Sequence, residues 1–309
     1  MQILFVLSGM FLGLLYNYNF IGFDFKPAVC IFAGLFMVMP TLFNLKLSDL
    51  KVATSHKILI GKNILANFLI LPIIAILIGL ISGDFGIAAG LFLLSVMGGG
   101  GMVMHWIRES NANTKIGFVI FGINILMLSL SFLMFKFFAI LFAPFYELSN
   151  YTSDPSVNLP WFGVFLFLVL IPFLVSRFLL KFLPLIPKTI QKHRAYIGNI
   201  SIFLIIFYLF GLENSKVLLE VEISLFIKTF FAIGAFYGLT FAFGKFIYNT
   251  KNDEDRAAFW HLITRYITLG LIISTFSINT YGATLILPIM MAYFIQLPLS
   301  IYYSKNYQK

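Results

Sequence analysis

Four consecutive glycines, Gly98 to Gly101, interrupt a run from Ile87 to Trp106 that otherwise reads as a membrane-crossing helix. Each glycine in a helix interior costs about 1 kcal/mol relative to alanine, so the run marks a built-in break. In lipid, backbone groups freed by a break are tolerated only where they are buried in protein or line a polar cavity. Carriers use such broken helices to build substrate and ion sites.

Lipid is the right solvent to consider for this chain. Of its 309 residues, 60% are hydrophobic and 11% are charged, with a mean hydropathy of +0.96; a soluble domain is about 25% charged. The chain therefore reads as an all-α, multi-pass integral membrane protein. Apolar windows of about 20 residues centre near Leu7, Phe36, Leu71, Leu94, Met127, Val169, Ile205, Ile233, Ile267 and Ile289, ten expected spans. The first lacks a basic leader and a small-residue cleavage site, so it is expected to be a retained helix rather than a signal peptide. Cys30, the one cysteine, has no second thiol to pair with and reads as a packing residue.

Charge tests the count, because lysine and arginine concentrate in cytoplasmic loops. Alternate loops carry Lys46, Lys51, Lys57 and Lys62, then Arg108 and Lys115, then Arg177, Lys181, Lys188, Lys192 and Arg194, then Lys245, Lys251 and Arg256, with Lys305 and Lys309 in the tail. The opposite loops hold only Lys26 and Lys216, beside the acids Asp24, Asp84, Glu147, Asp154, Glu213, Glu220 and Glu222. Both termini are thus expected in the cytoplasm, with a bacterial inner or plasma membrane as the location. The net charge of +9 is a topology signal, so the expected partners are the bilayer and a small molecule, not nucleic acid. The sequon Asn150-Tyr151-Thr152 in the longest outer loop reads as a chance occurrence. The pattern carries no signal for oligomeric state.

Polar residues inside the spans are few. All twelve acids fall in loops or at helix ends, which removes a buried-carboxylate proton path and leaves neutral oxygens as the means of holding a cation. Arg265 lies well inside the ninth span, roughly 14 Å deep at 1.5 Å per residue. It reads either as a functional group facing an anionic ligand or as a structural arginine bonded to backbone carbonyls. Asn67 and Asn124 lie in the third and fifth spans, His105 and His261 toward the cytoplasmic ends of the fourth and ninth. Each reads as interhelical glue or as part of ion or proton coupling, with histidine the group that titrates nearest neutral pH. Paired carboxylates, a histidine-rich metal cluster and a nucleophile with a base at matching depth are all missing. An enzyme is not expected, and no metal or cofactor is assigned.

Several stretches in order resemble one family. Phe36-Met37-Val38-Met39 and Leu45 to Lys51 look like its second helix and cytoplasmic exit; Ala66-Asn67-Phe68-Leu69-Ile70-Leu71-Pro72 is similar to its third-helix pattern. The glycine run with Met102 to Trp106, then Arg265-Tyr266 within Thr264 to Gly270, fall on its broken fourth and ninth helices, and Leu287-Pro288 to Tyr302 on its tenth. The chain thus resembles the bile acid:sodium symporters and the related arsenite permeases. The resemblance implies ten transmembrane helices in two inverted five-helix repeats, residues 1–149 and 150–309. Helices three to five and eight to ten form a core with broken, crossing fourth and ninth helices, and helices one, two, six and seven form a panel.

Departures from the family matter as much. The serine-asparagine pair of its sodium sites corresponds to Gly101 and Met102, its ninth-helix glutamate to His261, and its glutamine-asparagine pair to Arg265-Tyr266. Asn67 keeps an amide where the third-helix glutamine sits. Met102, Trp106, Asn124 and Arg265 resemble the arsenite permeases, but their fourth-helix cysteine becomes Gly99, so thiolate-assisted arsenite transport is not expected.

Two half-helices beginning at the midplane would present free N–H groups and positive dipole ends. With Arg265 and no carboxylate nearby, the crossing reads as an anion site built from Gly98, Gly99, Gly100, Gly101, Met102, Thr264, Arg265, Tyr266 and Thr268. The expected function is secondary active transport of an organic anion by alternating access, a hydrophobic organic anion before a small metabolite such as a keto acid. Two alternatives stay open. One is sodium-coupled symport of a bile-acid-like or small carboxylate substrate, with Na+ held by carbonyls and Asn124; the other is a non-coupled anion channel or sensor on the same fold.

Overall fold

The computed structural model describes residues 2–24, 55–100, 102–146, 170–216 and 221–306, together with 26, 28, 29, 32, 43 and 219. The second expected span near Phe36, the centre of the sixth at Val169, Cys30, Gly101 and the loop around Asn150 lie outside the described residues. Nearly everything described is helical. Among the described residues four helices are long and apolar enough to cross a membrane: Lys57–Ser82, Leu128–Tyr146, Ile223–Ile247 and Ile286–Lys305. Shorter apolar helices, Leu4–Asn19, Phe85–Val96 and Asn199–Phe210, fall where the first, fourth and seventh spans are expected, and Thr114–Leu126 shares the fifth with Leu128–Tyr146.

The chain divides into two compact units, Met1–Lys46 with Leu159–Glu220, and Leu47–Asn158 with Val221–Lys309. In the first, α1 (Gln2–Asn19) packs along the helix Arg194–Phe210. Gly9 and Gly13, four residues apart, allow the close approach: a Cβ at either would come within 2.9 Å of a backbone carbonyl, Phe203 O or Phe207 O. Without a hydrophobic drive between helices in lipid, such contact is how they associate. In the last turn of α1 Asn17 Nδ2 donates to Leu212 O at 2.7 Å, and past its end Phe23 N–H donates to Gly211 O at 2.8 Å.

The second unit holds both broken helices. α2 (Lys57–Ser82) carries a π-helical turn over Ala66–Ile70, just before Pro72, whose missing N–H and bulky ring disturb the preceding turn. Gly83 at φ +66° ends α2, and α3 (Phe85–Val96) starts at once, its N-cap Asp84 accepting from Ile87 N–H at 2.8 Å. α4 (Val103–Glu109) follows the glycines, and Asn113 caps α5 (Thr114–Leu126). α6 (Leu128–Phe142) continues beyond Met127.

On its return to this unit the chain forms α10 (Ile223–Ile247), α11 (Asp253–Ile263), α12 (Ile267–Tyr281) and α13 (Ile286–Asn306), the labels α7 to α9 being kept for Ile171–Phe182, Leu185–Lys192 and Arg194–Phe210. α11 opens with Asp253, Glu254 and Asp255 in its first turn, where the helix dipole favours negative charge. Helix α3 is buried along its whole length, so the first break sits at the end of a core helix.

Candidate functional site

The unwound residues of the fourth and ninth expected spans meet each other. Between α3 and α4, and between α11 and α12, Gly98 and Arg265 form an isolated antiparallel bridge. Gly99 N–H donates to Thr264 O and Tyr266 N–H to Met97 O, both at 2.9 Å. Each break supplies the partners that the other needs and that lipid cannot provide. Gly99 has φ +68°, and a Cβ there would stand 2.5 Å from His261 Nδ1 and 2.7 Å from Asn124 Nδ2; at Gly100 it would stand 2.7 Å from Arg265 O. Only glycine permits this crossing.

Arg265 is 1% exposed. Its Nη1 donates to Ser95 O at 3.0 Å, and its Nη2 to Asn67 Oδ1 at 2.7 Å, to His261 O at 2.9 Å and to Leu262 O. All four acceptors are neutral oxygens, three of them carbonyls from the last turns of α3 and α11. Those carbonyls are the ones a helix end leaves without partners, and the negative ends of both dipoles point at the guanidinium. Val96 O, next in line, accepts from Ser131 Oγ at 2.8 Å.

Further amides hold this arrangement. Asn67 Nδ2 donates to Asn63 O at 2.9 Å and Asn63 Oδ1 at 3.0 Å, which fixes the amide so that its oxygen faces Arg265. Asn63 in turn donates to Ala258 O at 3.1 Å. In α13, Gln296 Oε1 accepts from Arg265 N–H at 2.7 Å and from Tyr237 O–H at 2.8 Å. Asn63 and Gln296 join the two amides, Asn67 and Asn124, that sequence singles out. Lone amides in apolar spans are themselves the signal that points to them.

His261 Nε2 lies 2.8 Å from Gly117 O and so carries the proton, while Nδ1 lies 3.4 Å from Asn124 Nδ2. Thr268 Oγ1 and Tyr293 O–H are hydrogen-bonded at 2.6 Å. Met102 and Tyr266 are buried beside the crossing. The buried polar atoms with no hydrogen-bond partner among the described residues include Thr264 Oγ1, Arg265 Nε and Asn124 Oδ1 at the crossing. His105 sets its ring edge-on to Trp106, and no hydrogen bond among the described residues joins it to Arg265. Among those residues no group of three or more His, Cys, Asp or Glu side chains is placed to hold a metal ion.

A model of the Sodium Bile acid symporter family matches residues 31–220, more than half of the chain. The chain belongs to the sodium bile acid symporter family. It is therefore an integral membrane transporter, in keeping with its apolar helices. No curated protein matches it. Within the sodium bile acid symporter match lie Asn67, the glycine break and Asn124, while Arg265 and the second break lie beyond its end. The crossing thus joins a segment that the family model covers to one that it does not.

Proposed function

We propose that this member of the sodium bile acid symporter family carries an organic anion by alternating access, without sodium at the usual ligands. The observation that carries the reading is the antiparallel pairing of the two unwound segments, Met97 to Gly99 with Thr264 to Tyr266. α12 begins at this crossing, and its first-turn N–H groups and positive dipole end favour an anion there. Thr264 Oγ1 and Arg265 Nε, buried and without a hydrogen-bond partner among the described residues, add donors at the same place. The substrate group is a carboxylate or sulfonate, held near Gly98, Gly99, Gly100, Thr264, Arg265, Tyr266 and Thr268.

The chain's division into two units supports alternating access by two inverted repeats. The unit of Leu47–Asn158 and Val221–Lys309 is the core that moves, and the unit of Met1–Lys46 and Leu159–Glu220 is the panel. α3 enters the crossing from the outer side and α11 from the cytoplasmic side, as repeats of opposite orientation require. Sodium coupling of the family's usual kind is lost because His261, Arg265, Gly101 and Met102 replace its oxygen donors.

Thermal unfolding of the purified protein against a panel of steroid-like and small carboxylates, in sodium and in potassium buffers, tests this. An anion at about 100 times its dissociation constant adds about 2.7 kcal/mol. Equal stabilisation in both buffers is expected. Stabilisation confined to sodium contradicts the reading.

A further inference from the structure

We propose that the Arg265 guanidinium is a tethered cation that fills a cation-binding cage of four oxygens, and that taking it away turns the cage into a site for a free monovalent cation. The cage consists of Asn67 Oδ1 from α2, Ser95 O from α3 and the carbonyls of His261 and Leu262 from α11. Converging carbonyl and carboxamide oxygens are the ligand set of a hard cation. All four are acceptors, so an anion is repelled from this place.

Three features mark the cage as built rather than incidental. Asn67 cannot turn its amide around, since Nδ2 is held by Asn63 O and Oδ1. Two helix C-termini aim their negative ends at one point, which no carboxylate among the described residues shares. And the tether is short: Arg265 lies two residues beyond the last residue of α11, with its backbone N–H fixed by Gln296.

The cage and the anion place are thus distinct parts of one crossing. Carbonyl ends of α3 and α11 hold the fixed positive charge, while the amide end of α12 faces the substrate. A carrier so built keeps its positive charge through the whole cycle and takes up no cation here to be coupled. The inference rests on the carrier reading for this meaning in transport, but the cage itself can be tested without a substrate.

The test is thermal unfolding of the full-length protein in detergent, in lithium, sodium or potassium chloride against choline chloride at equal ionic strength. Arg265→Gln vacates the cage and adds an amide oxygen to it. The variant is expected to be less stable than the parent in choline and to gain at least roughly 2–4 °C in one of the metal salts, while the parent gains nothing. Arg265→Lys keeps a tethered cation and is expected to ignore all three salts. If Arg265→Gln does not fold in choline, its recovery in a metal salt supports the cage.

A folded Arg265→Gln indifferent to every cation, no recovery in any salt, a cation-dependent Arg265→Lys, or a parent that is itself stabilised by sodium overturns the inference. The carrier reading fails separately, if no organic anion is transported although the Arg265→Gln response appears.

Discussion

Asn67 Oδ1 accepts a hydrogen bond from Arg265 Nη2 at 2.7 Å, across 198 residues of chain. The amide sits on the π-helical turn of α2 and the guanidinium just beyond α11, so one bond ties α2 to the unwound segment after α11. Hydrogen bonds to charged groups contribute about 1.5–3 kcal/mol each. Asn67→Ala is therefore expected to destabilise the protein by about 1.5–3 kcal/mol and to lower anion binding. A variant with unchanged thermal unfolding would show that the bond holds nothing.

Gln296 holds the backbone of Arg265 rather than its charge. Gln296→Leu leaves the Arg265 N–H and the Tyr237 hydroxyl buried without their acceptor, at about 1–3 kcal/mol for each orphaned group. Lower melting temperature and slower transport are expected together, read by unfolding in detergent and uptake in proteoliposomes.

Gly83 and Gly99 separate backbone strain from close approach. Both have positive φ, +66° and +68°, but a Cβ on Gly83 meets nothing within 4 Å, whereas one on Gly99 meets His261 and Asn124. Gly83→Ala is expected to cost only the left-handed backbone term, about 1–2 kcal/mol. Gly99→Ala adds about 1–3 kcal/mol of overpacking and blocks transport. Equal losses in the two variants would contradict this account of the crossing.

Asp84 does two jobs outside the site. It caps α3 through Ile87 N–H and accepts from Thr284 Oγ1 at 3.0 Å. Asp84→Ala is expected to lower stability by about 0.5–2 kcal/mol, and Asp84→Asn, which keeps an acceptor, by much less; thermal unfolding of the pair reads the difference.

Much of this was legible from local physics. The glycine run declares a break because helix propensity is a property of each residue, and Arg265 declares itself because charge at membrane depth is costly. The partners of Arg265 were not legible, since the carbonyls of Ser95, His261 and Leu262 belong to backbone that every residue has. Sequence left Arg265 open between an anionic ligand and backbone carbonyls. The structure fills the two Nη groups with oxygens and leaves Nε without a hydrogen-bond partner among the described residues.

The π turn around Asn67 arises from Pro72 acting on the turns before it, which the third-helix pattern contains but does not announce. Gln296 stands in the long apolar helix α13, where its single amide is the same kind of signal as Asn67. The pairing of Gly98 with Arg265 spans most of the chain, and no periodicity encodes it.

Counterflow in proteoliposomes tests the central claim most directly, using whichever anion of the panel best stabilises the purified protein. Labelled anion is supplied outside vesicles that hold the unlabelled anion, with sodium replaced by choline on both sides. Saturable uptake, accelerated by the internal anion and unchanged by the loss of sodium, is the predicted result. Uptake that disappears without sodium, or that rises linearly with concentration and ignores the internal anion, would contradict a sodium-independent carrier.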